Sequence, residues 1–308
     1  MPEAPTVTAQ APPRLPAAVV IREVGPRDGL QSEAPLTPAR RAELVDSLAG
    51  AGCRRIEAVS FVSERAVPAM AGAADVLDHL QRRDEFRLTA LVANLRGAEA
   101  ALQAGVDEIT VTVAASAVYN ERNVRRSIDE SVREIALICD RAAPTTPVDA
   151  VVSCAFGSPY EGDIDPADVH QLCGRLLQCG STALTLADTT GMATPRLVGQ
   201  LLDLTGTDVG LHFHETRGTA LLNAYAALQA GVTRFDTAVG GLGGSPFAAG
   251  AGGNLATEDL VALLDDFGIP TGIDLELLIA TSAELSELLG HAVPSRISGA
   301  GPRTRLAT

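Results

Sequence analysis

Short apolar runs rich in β-branched residues alternate along the chain with longer segments whose apolar residues recur at helical spacing. The runs are near-continuously apolar, which is typical of strands buried on both faces in a parallel sheet. The predicted strands cover residues 18–24, 55–61, 87–93, 108–114, 148–154, 183–187, 209–214 and 234–239. The predicted helices cover residues 38–48, 67–82, 95–104, 127–141, 166–178, 195–204 and 218–229, with two more at 255–267 and 275–289.

This alternation predicts an α/β fold of eight strand–helix repeats, each roughly 30 residues long, as a parallel strand–helix–strand unit requires. Eight parallel strands are the number that closes a (β/α)8 TIM barrel, and 308 residues suit that fold. An open, doubly wound sheet is the alternative. The helices that follow the eighth strand exceed the needs of a barrel and could form a cap or a contact between subunits.

The composition excludes some classes of partner. Hydrophobic residues make up 46% of the chain, but aromatic residues only 3%, so the core must consist mainly of Ala, Val and Leu. The formal net charge is -14, which disfavours nucleic acid and anionic membrane surfaces, and we expect neither as a partner. No apolar run reaches the ~18 residues that a membrane span needs.

The chain ends and the cysteines indicate where the protein resides. The five cysteines include no Cys-x-x-Cys pair, and an odd number makes a poor disulfide framework. Residues 1–18 are rich in Ala and Pro and lack the apolar stretch of a signal peptide. We therefore expect reduced thiols, a cytoplasmic location and a disordered tail over residues 1–18. The catalytic domain should cover residues 19–292, followed by a mobile tail over residues 293–308.

The segment 209–215 carries the clearest chemical signal. His212 and His214 lie two residues apart on a predicted strand, so both side chains point to one face. Buried histidines satisfied by hydrogen bonds would also explain the pair. However, a barrel has its active site at the carboxyl ends of its strands, where Asp28 and Asn254 also fall. Two nitrogens and two oxygens suit Mg²⁺ or Mn²⁺, although Zn²⁺ or Co²⁺ could also bind.

Further polar residues fall at the same end of the predicted barrel. Arg27 follows the first strand, Glu57 lies inside the otherwise apolar second strand, and Asp188 and Thr189 follow the sixth. A buried charge is costly unless it is paired or metal-bound, so Glu57 is either a structural partner or part of a site. Residues 240–254 are rich in glycine without a Walker lysine, which favours a mobile lid over the alternative of a flexible connector.

Longer motifs surround these residues. They are GPRDGLQ at 25–31, IEAVSFVS at 56–63, DT at 188–189, HFH at 212–214, GLGGSPF at 241–247 and GNLATED at 253–259. Together they resemble the hydroxymethylglutaryl-CoA lyase family, which is metal-dependent and built on a TIM barrel. The resemblance runs in order through about residues 19–290, and its motifs are too long to match by chance.

The resemblance implies a retro-Claisen cleavage of 3-hydroxy-3-methylglutaryl-CoA, or of a close 3-hydroxyacyl-CoA, to acetyl-CoA and acetoacetate. The implied ligands of Mg²⁺ or Mn²⁺ are Asp28, His212, His214 and Asn254. The metal would lower the pKa of the substrate hydroxyl, whose proton would pass to His212, Asp28 or Glu57. Arg27 would stabilise the enolate oxygen. The implied catalytic residues are Arg27, Glu57, Asp188, His212 and Ser245. The implied substrate-binding residues are Arg27, Gln31 and Thr189.

The chain departs from the family pattern at several positions near the expected site, among them Glu215, where the family has an aspartate. Ser245 replaces the cysteine of the glycine-rich loop, and a hydroxyl is a far weaker acid than a thiol of pKa ~8.5. Arg217 stands where the family has a tyrosine, Ala34 where a basic residue is frequent, and Val151 where a tyrosine is common. These differences leave the particular acyl-CoA substrate open.

Two further readings follow from these departures. One is a metal-dependent aldolase or condensing enzyme acting on a hydroxy-keto acid, and the other is a catalytically impaired metal-binding relative. Arg122, Arg125 and Arg126 form either one side of a CoA phosphate site or a solvated basic helix face. The expected partners are a small acyl-CoA substrate and a second copy of the chain, which would make a homodimer through the C-terminal helices.

Overall fold

The computed structural model describes residues 15–143, 145–244, 250 and 252–305. Its strands form a closed barrel in which each strand pairs in parallel with the next, and the first pairs with the last. The strands are β1 (Val20–Glu23), β2 (Arg55–Phe61), β3 (Arg87–Val92), β4 (Glu108–Ala114), β5 (Val148–Ser153), β6 (Ala183–Ala187), β7 (Gly210–His212) and β8 (Arg234–Thr237). The predicted TIM barrel is confirmed, and the open sheet is wrong.

Helices follow the strands and cover the outside of the barrel. They are α1 (Pro38–Gly50), α2 (Ala73–Asp78), α3 (Leu95–Gln103), α4 (Ala117–Val124), α5 (Ile128–Ala142), α6 (Pro166–Gln178), α7 (Pro195–Thr205), α8 (Ala220–Ala230), α9 (Thr257–Asp266), α10 (Leu275–Leu289) and α11 (Arg296–Ala300). The elements with the predicted bounds are β2, β4, β6, α6 and α10. None of the helices in the described part of the chain is both long and apolar enough to span a bilayer.

The prediction of one helix over residues 67–82 is wrong. The structure has a 3-10 turn at Pro68–Met70 and then the short helix α2. Gly72 separates the two with a φ of 71°, a left-handed conformation that an α-helix does not contain. Helix α4 was not predicted. It begins where the Ser116 side chain accepts a hydrogen bond from the Tyr119 amide, and its eight residues are too few to show a clear helical period.

The barrel interior contains a cluster of ion pairs. Arg22 on β1 is only 5% exposed, and its guanidinium donates to Asp236 on β8 at 2.7 and 2.8 Å. It also donates to Asp149 on β5 at 2.7 Å and lies 3.4 Å from Glu108 on β4. A buried guanidinium is tolerated only when carboxylates compensate its lost hydration, so these contacts fix the side chains inside the barrel.

The segment after α10 packs on the barrel. The predicted tail covers residues 293–308, of which residues 306–308 lie outside the described part of the chain. In the described part, Val293 packs against the core and Ser295 donates a hydrogen bond to Asp259 at 2.8 Å. Ile297 donates its amide to the same carboxylate at 3.0 Å, which holds α11 on α9. Residues 1–14 of the predicted N-terminal tail and residues 245–249 and 251 of the predicted lid lie outside the described residues.

Two buried glutamates hold the backbone where the glycine-rich segment begins. Glu23 accepts hydrogen bonds from the amides of Gly25 at 2.7 Å and Val239 at 2.9 Å, which joins the loops after β1 and β8. Glu258 accepts a hydrogen bond from the Gly240 amide at 2.9 Å. Burial raises the pKa of both carboxyl groups to about 7, although the hydrogen bonds favour their ionised forms.

We expect Glu258→Gln to change the pH dependence of stability. Because the pKa of Glu258 is raised to about 7 on folding, its protonated form stabilises the fold at low pH, and this contribution is lost as pH rises through 7. Between about pH 5 and pH 8, the free energy of unfolding of the wild type should fall relative to the variant by up to about 3 kcal/mol. Urea unfolding at both pH values measures this difference. The exposed Glu284→Gln is the control and should follow the wild type. A pH-independent gap between Glu258→Gln and the wild type would contradict the raised pKa.

Candidate active site and metal centre

His212 and His214 lie together at the carboxyl end of β7. Beyond His212, the carbonyl of Phe213 accepts a hydrogen bond from the Leu255 amide at 2.8 Å, and His214 pairs with Asn254 in an isolated antiparallel bridge. This bridge brings the segment after β8 across the barrel mouth, next to the two imidazoles. The two Nε2 atoms face each other at 3.1 Å.

Both imidazoles use their other nitrogen for a hydrogen bond. His212 Nδ1 lies 3.3 Å from an oxygen of Asp236, and His214 Nδ1 lies 3.0 Å from the Gly252 carbonyl oxygen. A neutral imidazole that donates from Nδ1 presents a lone pair at Nε2. Two lone pairs that face each other at 3.1 Å repel one another, and a cation between or beside them removes the repulsion. The arrangement therefore fits a pair of metal ligands.

Asp28 completes a group of three residues that could hold a metal ion. It follows β1 in the turn Gly25–Gly29, and ligand atoms of Asp28, His212 and His214 all lie within 4.8 Å of one another. Burial acts to raise the pKa of Asp28, but the charges of Arg27 and the two imidazoles outweigh burial and lower it to about 2. The carboxylate is therefore ionised at neutral pH, as a ligand of a hard cation must be.

Asn254 supplies an oxygen beside this group. Its Nδ2 donates to Asp28 Oδ2 at 2.8 Å and to the Leu242 carbonyl at 2.9 Å. Its Oδ1 is buried and has no hydrogen-bond partner among the described residues. A buried amide oxygen without a partner is costly, and a cation would satisfy it. The structure thus brings together all four predicted ligands. We call Asp28, His212, His214 and Asn254 the metal cage.

The pKa values of the two histidines are shifted in opposite directions. Burial and the neighbouring His212 lower the pKa of His214 to about 4, so His214 is neutral at physiological pH. Burial acts in the same direction on His212, but its hydrogen bond to Asp236 and the negative charges of Asp236 and Asp28 together outweigh burial and raise the pKa of His212. Asp236 itself is ionised, because Arg22 and His212 outweigh its burial and lower its pKa. The carboxylate therefore fixes the orientation of the first imidazole.

Asp236 and Arg22 were missed in the sequence analysis, although a signal was present. Both lie inside predicted apolar strands, as Glu57 does, and a charge at such a position needs a partner. The sequence did not show that they would pair with each other and then with His212. Histidines that bind metals usually donate their second nitrogen to a carboxylate, and Asp236 occupies that position here.

We expect Asp236→Asn to weaken metal binding about 10- to 100-fold, because His212 loses the carboxylate that orients it. Titration calorimetry with Mn²⁺ measures the affinity. The control is Asp208→Asn, which removes an exposed carboxylate just before β7 and should leave the affinity unchanged. Equal Mn²⁺ affinity in Asp236→Asn and the wild type would show that this carboxylate does not position a ligand.

Arg27 links the metal cage to Glu57. Its Nε donates to Glu57 Oε1 and its Nη1 donates to Asp28 Oδ1 at 2.6 Å, whereas its Nη2 makes no hydrogen bond with the described residues. Glu57 is fully buried, and its Oε2 has no partner among the described residues. Gln31, which is predicted to bind substrate, directs its amide to Asp28 Oδ1 at 3.3 Å. These residues form one hydrogen-bonded group at the mouth of the barrel.

Asp188 and Thr189 directly follow β6, the strand that pairs with β7 and so lies next to the two histidines. Asp188 Oδ1 accepts hydrogen bonds from the amides of Met192 and Ala193 at 2.6 and 2.9 Å, and its Oδ2 is buried without a partner among the described residues. Burial raises the pKa of Asp188 to about 7. The Thr189 hydroxyl accepts a hydrogen bond from the Cys154 amide at 3.0 Å, and its own O–H remains able to donate. Ser245 lies outside the described residues.

The basic residues near α4 have individual partners. Arg126 donates to the Ala93 carbonyl at 3.0 Å and lies 3.5 Å from Glu134. The Arg122 guanidinium lies 4.4 Å from the centre of the Tyr160 ring. These contacts hold Arg122 and Arg126 near the ends of β3 and β5.

Comparison with known proteins identifies the family. The family model described as HMGL-like matches residues 18–285, which is most of the chain. The chain belongs to the HMGL-like family. The resemblance stated from the motifs is thereby confirmed, and the family match covers the barrel together with α9 and most of α10.

Members of the family with known activities are similar over nearly the whole chain. Hydroxymethylglutaryl-CoA lyase of Pseudomonas mevalonii is 43% identical over 286 residues, which cover 91% of this chain and 95% of the relative. (R)-citramalyl-CoA lyase of Chloroflexus aurantiacus is 44% identical over 304 residues, with 92% and 95% covered. The solved HMG-CoA lyase of Acinetobacter baumannii, in complex with coenzyme A and 3-methylmalate, is 40% identical, has a TM-score of 0.90 and is matched over 98% of its length. The chain is therefore an enzyme, a lyase.

Proposed function

We propose that the protein catalyses the divalent-metal-dependent cleavage of 3-hydroxy-3-methylglutaryl-CoA to acetyl-CoA and acetoacetate. The observation that carries the proposal is the metal cage, with Arg27 bonded both to it and to Glu57. The relatives named as hydroxymethylglutaryl-CoA lyases support the choice of substrate. In the reaction the hydroxyl loses its proton, the carbon–carbon bond breaks, its electrons move to the thioester as an enolate, and a proton returns to carbon.

Mg²⁺ or Mn²⁺ bound to Asp28, His212, His214 and Asn254 would bind the substrate hydroxyl and lower its pKa. The donor set contains no thiolate and leaves coordination positions for substrate, which suits these hard cations. With its Nε and Nη1 held by Glu57 and Asp28, Arg27 can donate from Nη2 to the enolate oxygen.

We propose that Glu57 takes the proton from the substrate hydroxyl. Asp28 and His212 were the other candidates for this base, but both direct their lone pairs into the metal cage. Glu57 lies outside the cage, and its Oε2 has no partner among the described residues and so can take the hydroxyl proton. Asp188 lies at the end of the neighbouring strand β6. Because its pKa is raised to about 7, it is suited to hold or release a proton near neutral pH.

The final protonation of the enolate carbon is the step that Ser245 would limit. A serine hydroxyl is a far weaker acid than a thiol of pKa ~8.5. We therefore expect Ser245→Cys to raise kcat with 3-hydroxy-3-methylglutaryl-CoA and to make the enzyme sensitive to thiol-modifying reagents. Steady-state assays before and after alkylation measure both effects, with Ser245→Ala as the control. Equal kcat values for Ser245→Cys and the wild type would mean that protonation is not limiting.

A direct test of the function uses purified protein, Mg²⁺ and two acyl-CoA substrates. Release of acetyl-CoA and acetoacetate from 3-hydroxy-3-methylglutaryl-CoA supports the proposal. The 44% identity to (R)-citramalyl-CoA lyase makes citramalyl-CoA the second candidate substrate, to be assayed in parallel. A higher kcat/KM for citramalyl-CoA would change the proposed substrate and keep the metal-dependent lyase reaction. If the protein cleaves a hydroxy-keto acid but neither acyl-CoA, it is an aldolase. If it binds metal but cleaves none of these substrates, it is an inactive relative.

The proposal also includes a homodimer. Helix α10 exposes Leu277 at 50% and Leu288 at 40%, and we propose that both side chains lie in the contact between the subunits. Sedimentation equilibrium of the full chain tests the dimer.

We further propose that the catalytic domain covers residues 19–292.

A further inference from the structure

Arg217 lies on the rim of the barrel mouth, three residues after the second cage histidine. Its Nη1 donates to the carbonyl oxygens of Thr190 at 3.0 Å and Gly191 at 2.7 Å. These carbonyls belong to the loop that directly follows Asp188. The guanidinium therefore sits over the loop after β6, close enough for its charge to act on Asp188.

The backbone that carries Arg217 is held in place on both sides. The Thr216 hydroxyl accepts a hydrogen bond from the Gly252 amide at 3.0 Å. On the other side, a Cβ built on Gly191 would lie 2.4 Å from Thr216 Cβ, so only glycine allows the two loops to approach this closely. Thr216 is thus packed between the backbones of Gly191 and Gly252. The backbone next to Arg217 is therefore fixed by the packing of Thr216.

Arg217 has no carboxylate at ion-pair distance among the described residues. The residue is exposed and forms no salt bridge with any described residue, and its Nε and Nη2 make no hydrogen bonds there. Arg27, in contrast, is bonded to two carboxylates. In a chain with a net charge of -14, a positioned arginine without a carboxylate partner leaves a two-pronged donor available to an anion.

We propose that Arg217 binds a carboxylate of the acyl substrate and so determines which hydroxy-diacid thioester is cleaved. This inference rests on the proposed function. The two carbonyls hold Nη1, and the remaining edge of the guanidinium binds the carboxylate with two hydrogen bonds. Arg217 thereby favours substrates with a second carboxylate over those with a neutral acyl end. A phosphate of coenzyme A is the other anion that a guanidinium could bind, and the experiment separates the two.

The experiment measures binding without turnover. Titration calorimetry in the presence of Mn²⁺ compares 3-hydroxyglutarate, which has no phosphate, with coenzyme A alone. In Arg217→Gln, the Kd for 3-hydroxyglutarate should rise about tenfold or more, as loss of a charged hydrogen bond predicts, while the Kd for coenzyme A stays within about twofold. Arg217→Lys should fall between the two proteins. A rise for coenzyme A only, or for neither ligand, would overturn the proposal.

Two controls separate this role from a structural one. Arg196→Gln removes an exposed charge from the nearby helix α7, where Arg196 bonds to Gln200, and should change neither Kd. Mn²⁺ affinity in Arg217→Gln should equal that of the wild type, and a parallel loss of Mn²⁺ binding would show that Arg217 only holds the loops together. In steady-state assays KM should rise with little change in kcat. If the wild type binds 3-hydroxyglutarate through Arg217 but cleaves no acyl-CoA, the proposed function fails and the carboxylate site stands.

Discussion

Replacing Arg27 by Gln should lower kcat by about 10²- to 10³-fold, the usual effect of removing one donor to a developing oxyanion. Arg27 is held by Glu57 and Asp28, so its remaining donor is already directed when charge develops on the thioester oxygen. KM should change much less, because the ground-state carbonyl is a weaker acceptor than the enolate. Steady-state kinetics with 3-hydroxy-3-methylglutaryl-CoA and Mg²⁺ measure the two constants.

Arg27→Lys and Arg40→Gln define the interpretation of this result. Lysine keeps the charge, but its single ammonium nitrogen cannot reproduce the planar fork in which separate nitrogens bond to Glu57 and Asp28, so Arg27→Lys should remain strongly impaired. Arg40 is exposed on α1 and paired with Glu43, and its substitution should have no effect on kcat. A kcat near that of the wild type in Arg27→Gln would remove Arg27 from the catalytic step.

The second large effect is expected for Asp28→Asn. Asp28 is the only carboxylate of the metal cage, and its charge also compensates that of Arg27. Its loss should weaken Mn²⁺ binding by at least about 100-fold, because it removes the one anionic ligand of a divalent cation, and activity should be lost with any substrate. Titration calorimetry with Mn²⁺ gives the affinity directly.

Asp140→Asn serves as the matched control for Asp28→Asn. Asp140 is exposed on α5, and its substitution should leave metal affinity and kcat unchanged. Thermal unfolding of both variants without metal shows whether Asp28→Asn still folds. Retained Mn²⁺ affinity in a folded Asp28→Asn would exclude this carboxylate as a ligand.

Much of the barrel could be predicted from the sequence because its strands are buried on both faces. Such strands read as continuous apolar runs, and β2, β4 and β6 were bounded correctly for this reason. The prediction failed over residues 67–82, where the apolar residues continue but Gly72 takes a left-handed conformation. Apolar periodicity does not reveal the backbone conformation of one glycine.

The candidate metal ligands were predicted for a different reason. In a parallel barrel every strand presents its carboxyl end at the same mouth, so residues distant in sequence, such as Asp28 and Asn254, fall together once the fold is known. Their roles as ligands remain a proposal. The position of Asp236 behind His212 could not be predicted, because it depends on the register between β7 and β8, which pairs these two residues.

The sequence by itself determined the barrel, the family and the residue types at its mouth, because apolar periodicity and long motifs are local properties of the chain. Only the tertiary structure decided which nitrogen of each imidazole is free, which donor of Arg27 remains available and that Arg217 has no carboxylate partner among the described residues. These are properties of side-chain pairs joined across loops and strands, and the hydrogen-bond capacity that each contact consumes can be counted only when the pairs are in place.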